Sequence, residues 1–159
     1  MAVRFDLNSL YLVLTDRGSA SSFHWSFYLR TAATSGEMLH LVNRSGMTEW
    51  EFECLARLPE DVATANELLL VLKLGDLDPV LHGAFKERLG QIPIQYSARF
   101  RESISCRVWM KEALFALDDE GFITLAQSVE KVEADAKLVA MLNRAQGRKS
   151  IVDCGGAIA

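Results

Sequence analysis

His24-Trp25-Ser26-Phe27-Tyr28-Leu29 (HWSFYL, residues 24–29) alternates two kinds of side chain: Trp25, Phe27 and Leu29 face one way, His24, Ser26 and Tyr28 the other. An extended chain points successive side chains to opposite faces, so this aromatic-rich period of two predicts a strand with two distinct surfaces. Upstream, Ser9–Thr15 (SLYLVLT) is rich in strand formers and is set apart by the polar run Asp16–Ser22 (DRGSASS). Downstream, a turn at Thr34-Ser35-Gly36 leads into Glu37–Val42 (EMLHLV), which Asn43–Gly46 (NRSG) closes. Met47–Leu55 (MTEWEFECL) alternates strictly, with Trp50, Phe52 and Cys54 inward and Glu49, Glu51 and Glu53 decorating a solvent face. Strands this close, joined by turn residues, predict antiparallel sheet.

The rest of the chain turns helical. Leu58–Ala65 (LPEDVATA) reads as a connection, and Leu68–Leu74 (LLLVLKL), bounded by Gly75 and Asp78-Pro79, as a strand of the sheet interior. Asp78 caps a helix to about Leu89, with Pro79 in its first turn and Gly90 as its stop. Pro93 to Phe100 is irregular. Ser105 is the N-cap of a helix over Cys106–Leu117, stopped by Asp118–Gly121 (DDEG), and Thr124 starts another that ends at Met141 or Leu142. Gly147–Ala159 is glycine-rich and predicts a flexible tail behind a single α+β domain over residues 1–146, with its antiparallel sheet packed against helices.

Composition narrows the partners. A formal charge of −4 and a pI near 5.4 give no general attraction to nucleic acid or anionic membrane. No run approaches the roughly 18 apolar residues of an integral membrane segment, and Arg4 and Asp6 stand where a signal peptide needs an apolar stretch, so a cytoplasmic protein is expected. The three cysteines, at 54, 106 and 154, form no C-x-x-C and suit reduced thiols. No close ligand pair marks a metal site, and no glycine-rich phosphate or dinucleotide motif is present, so chemistry without a cofactor is expected.

Two residues suggest what that chemistry is. Cys106 opens a helix, where unsatisfied N–H groups and the positive end of the macrodipole favour a thiolate and can hold an oxyanion, and Arg107 adds a cation next to it. His24, at the entry of its strand, is the candidate base. An arbitrary cysteine is several times more often a small buried hydrophobe than a nucleophile. His40, on the following strand, is a third candidate, whereas His82 reads as a solvated helix residue. The carboxylate pairs Glu51/Glu53 and Asp118/Asp119 read as ordinary surface and helix-end residues.

His24-Trp25-x-x-Tyr28-Leu29, then His40-Leu41, then a cysteine opening a helix, resembles the circularly permuted papain-like superfamily, including the lecithin:retinol acyltransferase relatives and the permuted cell-wall-peptidase-like proteins. It is similar as well to fungal proteins with a histidine-tryptophan strand and a Cys-Arg-x-Trp helix. The resemblance spans roughly residues 9–120 and implies a permuted papain-like fold. It also implies acyl transfer with Cys106 as nucleophile, His24 as general base and His40 as the group orienting the imidazole. The chain departs from the acyltransferase relatives in having Ser105-Cys106-Arg107 where they have Asn-Cys-Glu, and in a longer loop between the histidine strands. The expected substrate is a small-molecule, peptide or ester carbonyl. Hydrolysis, transfer and cyclisation in small-molecule biosynthesis are open, against a non-catalytic binding or assembly module on the same fold.

Overall fold

The HWSFYL alternation becomes the centre of a sheet whose two faces are both covered. The computed structural model describes residues 3–19, 22–43 and 49–153. Along the chain these form β1 (Ser9–Ser19), β2 (Ser22–Ala32), β3 (Ser35–Val42), β4 (Glu51–Ala56), α1 (Pro59–Thr64) and β5 (Leu68–Asp76). A 3-10 turn (Pro79–Leu81) then leads into α2 (His82–Gly90), α3 (Cys106–Asp119), α4 (Val129–Gln146) and β6 (Ser150–Asp153). The strands lie in the order β4-β3-β2-β1-β5-β6. All neighbours are antiparallel except β5 and β6, which run parallel. The fold is α+β.

Alternation sorts the side chains between two cores. Leu10, Leu12 and Leu14 of β1, Phe23, Trp25, Phe27 and Leu29 of β2, and Leu39 and Leu41 of β3 belong to the core shared with α2, α3 and α4. Tyr11, Val13, Tyr28, Met38 and Val71 belong to the opposite core, closed by Val62 of α1 and by Val3 and Phe5. Helix α3 lies over β2 and β3, and α4 over β5 and β1. Trp109 of α3 anchors the first core, its ring centroid 5.8 Å from that of Phe27 and 5.6 Å from that of Phe52. Truncating a ring buried this fully typically costs about 3–5 kcal/mol.

The β2–β3 hairpin is closed tightly at its tip. Tyr28 donates its hydroxyl to the Arg57 carbonyl at 2.9 Å, and burial pushes that phenol up to about 12. A Cβ added at Gly36 would fall inside the van der Waals radius of the Tyr28 hydroxyl, which is why glycine stands there.

Several elements differ from the sequence expectation. β1 runs on through Asp16 to Ser19 by way of a register shift, with Gly18 at φ +92° and its N–H on Asp16 Oδ1 at 2.8 Å. The supposed connection after Leu58 holds α1, with Pro59 at its first position. α4 starts at Val129 rather than Thr124, because the Leu125 N–H is taken by Asp118 Oδ1 at 2.9 Å and the cap is Ser128, accepting from Lys131 N. The expected flexible tail from Gly147 begins instead with β6, pinned by Asn143, whose Nδ2 donates to Leu69 O at 2.8 Å and to Ser150 Oγ at 2.7 Å. Cys154 and the rest of that tail lie outside the described residues, as do residues 44–48 of the expected turn and strand start. Among the described residues, no helix is long and apolar enough to cross a membrane.

Candidate functional site

Three neighbouring strands place three polar side chains in a row on the sheet face away from α3. In the β2–β3 ladder Ser26 pairs with His40. His24, two residues before Ser26, shares its face and lies on the diagonal from His40. The rings meet edge to face with centroids 4.9 Å apart, and His24 Nε2 lies 2.8 Å from His40 Nδ1. In the β3–β4 ladder His40 pairs directly with Glu53, and His40 Nε2 lies 2.9 Å from Glu53 Oε1. The chain His24–His40–Glu53 thus crosses from β2 to β4.

The setting keeps His24 uncharged at neutral pH. Burial lowers its pKa to about 4, with His40 and Arg17 adding to the effect. Glu53 does not decorate a solvent face as the β4 alternation suggested; its side chain is 18 % exposed and bound to His40. The clue in the sequence is that Glu53 alternates with Phe52 and Cys54, so it shares a face with whatever polar group β3 offers there.

Cys106 is the first residue of α3, and Ser105 caps it as the sequence suggests, its backbone extended and its Oγ accepting from Val108 N. Cys106 belongs to the helix-side core and is 2 % exposed. Its Sγ lies 4.0 Å from the Phe23 carbonyl oxygen, which precedes the amide of His24, and 4.0 Å from Arg17 Nη1. No hydrogen bond among the described residues joins Sγ to the His24 ring. His24 leaves β2 on the face opposite Phe23 and Trp25, so the structure brings His24 and His40 together and sets Cys106 against the β2 backbone one residue away.

The cation beside the sulfur is not the one the sequence put forward. Arg107 is tied to Glu102 and Glu133, and Lys111 joins the same two carboxylates. Arg17 takes the place beside Sγ, carried there by the β1 bulge, a device that re-aims side chains. The sequence shows Arg17-Gly18 only as part of a polar run, and the bulge that directs it depends on pairing with β2. His82 is not simply solvated, since its Nε2 donates to Leu77 O at 2.9 Å at the start of α2.

Cys54 sits on the helix-side face of the edge strand, exposed, with its thiol donating to Glu37 Oε2 at 3.2 Å. Desolvation first, then Glu37, raises this thiol to about 11, while Lys86 pairs with the same carboxylate at 2.9 Å. Among the described residues, no group of three His, Cys, Asp or Glu side chains is placed to hold a metal ion.

In comparisons with known proteins, no curated protein and no solved structure matches the chain. A family model matches residues 10–124, a span that takes in Arg17, His24, His40, Glu53 and Cys106, and the chain belongs to that family, the family of unknown function DUF6540.

Proposed function

We propose that the chain is a cysteine-dependent hydrolase or acyl or amide transferase on a circularly permuted papain-like fold. The observation that carries this reading is the 2.8 Å contact between His24 Nε2 and His40 Nδ1, which orients an uncharged imidazole one residue along β2 from the Phe23 carbonyl that Cys106 Sγ approaches from the other face of the sheet. Arg17, 4.0 Å from Sγ, supports it by placing a positive charge against the sulfur.

In this reaction the Cys106 S–H bond breaks as its proton passes to His24, and the thiolate forms an S–C bond to a substrate carbonyl. The oxyanion is met by N–H groups at the start of α3. His24 returns the proton to the leaving group, and water, an amine or an alcohol then resolves the thioester. Resolution by a group of the same substrate makes the product a ring. The first step requires Sγ and the His24 ring, which lie on opposite faces of β2, to come within hydrogen-bond reach around the strand end when substrate binds, as catalytic contacts that are long in a free enzyme tighten in its complex.

A second reading follows from the 2 % exposure of Cys106 and the missing bond between Sγ and His24: a binding or assembly module in which the thiol is part of the core. Alkylation with iodoacetamide at pH 7, with adducts located by mass spectrometry, separates the two. The enzyme reading expects Cys106 to react faster than Cys54, and His24→Ala to slow it by at least about tenfold, within the span of general-base effects, with an unchanged far-UV spectrum. Reaction at or below the rate of the urea-unfolded chain, indifferent to His24→Ala, would establish the module.

A further inference from the structure

We propose that Glu53 is a positioning residue that acts through His40 to fix the tautomer of His24, leaving His24 Nδ1 as the bare nitrogen that accepts a proton. The catalytic meaning of this assignment rests on the thiol reading above, although the tautomer itself does not. The placement comes from the strand register: Glu53 stands directly opposite His40, and His40 reaches diagonally to His24.

An ionised carboxylate only accepts hydrogen bonds. Glu53 Oε1, 2.9 Å from His40 Nε2, therefore holds the His40 proton on Nε2. A neutral imidazole with its proton on Nε2 has a lone pair on Nδ1, so His40 Nδ1 accepts. The donor for that 2.8 Å bond is His24 Nε2. His24 is uncharged at neutral pH, so one proton on Nε2 leaves Nδ1 bare. When Nδ1 takes the Cys106 proton, His24 becomes an imidazolium whose Nε2–H still points along the row toward the Glu53 carboxylate, which stabilises the charge without itself being protonated. The opposite state, with His40 as an imidazolium donating from both nitrogens, would force the His24 proton onto Nδ1 and disable it as the base.

Long-range proton–nitrogen correlation spectra of the full chain, labelled with nitrogen-15, at pH 7.5 read the tautomers directly. The chain has three histidines, and His24→Gln and His82→Gln assign them. His24 and His40 are expected to show a protonated Nε2 and a bare Nδ1. Glu53→Ala is expected to average the two His24 nitrogen signals and to slow Cys106 alkylation by about tenfold, the low side of general-base effects. Glu53→Gln, whose amide oxygen still accepts from His40, should restore both the pattern and most of the rate. A wild-type spectrum with the His24 proton on Nδ1 overturns the proposal whether or not any variant folds. It is overturned equally if both Glu53 variants lower the melting temperature and leave the tautomer as it was. If the tautomer follows Glu53 but Cys106 alkylation ignores His24→Ala, the thiol reading falls and the positioning role stands; the reverse pair of results removes Glu53 and keeps the thiol.

Discussion

His40 stands directly across the β2–β3 ladder from Ser26, not from His24, and Ser26 is 2 % exposed. Its small side chain leaves room on that face for His40 to reach His24, two residues along. Ser26→Ala should therefore be tolerated. Ser26→Leu should part the rings, slow Cys106 alkylation and lower stability by about 1–3 kcal/mol through overpacking. Alkylation rate and urea midpoint, measured together, check this; wild-type reactivity in the Ser26→Leu variant would show that the ring contact is not needed.

Stability should depend on His24 in acid. The unfolded imidazole titrates near 6.5 and the folded one near 4, so between those values the unfolded chain holds the extra proton. The His24 contribution is therefore fully present above about pH 6.5 and is lost as pH falls toward 4, by roughly 3 kcal/mol at 1.36 kcal/mol per pH unit. Urea midpoints for the wild type and His24→Gln across that range should diverge in slope, the wild type falling more steeply. Parallel curves would mean that His24 does not carry the dependence.

Cys54 should label slowly with iodoacetamide near neutrality even though it is exposed, because desolvation and the Glu37 carboxylate hold its thiol near 11. Glu37→Gln removes the charge and leaves the partial desolvation, so the thiol should titrate between its present value and the ordinary one. The labelling rate at pH 8.5 should rise severalfold, read by mass spectrometry of the Cys54 peptide. No rise would assign the slow reaction to partial desolvation of the thiol alone.

Removing either partner from the network under α3 should have unequal effects. Lys111 is 6 % exposed and Glu133 16 %, and both Lys111 and Arg107 depend on Glu133. Glu133→Ala leaves two cations facing Glu102 alone and should cost about 3 kcal/mol, typical of a broken buried pair. Lys111→Met leaves Glu133 its Arg107 partner and fills the same space, so it should cost less. Chemical denaturation of both variants gives the comparison, and an equal loss would contradict this account.

Asn143→Leu should loosen β6 without unfolding the domain. The Leu69 carbonyl and the Ser150 hydroxyl lose their shared donor, at about 1–3 kcal/mol for a buried acceptor left unpaired. Amide exchange at Ile151 and Val152 should speed up more than at Val13 of the central strand; uniform acceleration would show that β6 opens only with the whole sheet.

The central strands were legible because each has a face that must be dry, and alternation of Trp25, Phe27 and Leu29 states this locally. The Ser105 cap was legible for the same reason, since the bond from Val108 N spans three residues. What sequence could not supply depends on pairing between distant segments. β6 looks like a tail until Asn143 reaches Leu69, 74 residues away in the chain. Arg17 looks like turn material until β1 bulges against β2. Glu53 looks like a surface carboxylate until the β3–β4 register puts it across from His40, a match that one residue of slippage would undo.

Gly36 and the Tyr28 ring occupy the same space between them. Drift at either position is therefore conditional on the other: a relative that acquires alanine at 36 must already have exchanged the tyrosine at 28 for something shorter, and in doing so has given up the hydroxyl bond to the Arg57 carbonyl. Among relatives that keep this register, the two columns should change in that order or not at all, and a lineage with both a side chain at 36 and tyrosine at 28 should close its β2–β3 hairpin in a different one.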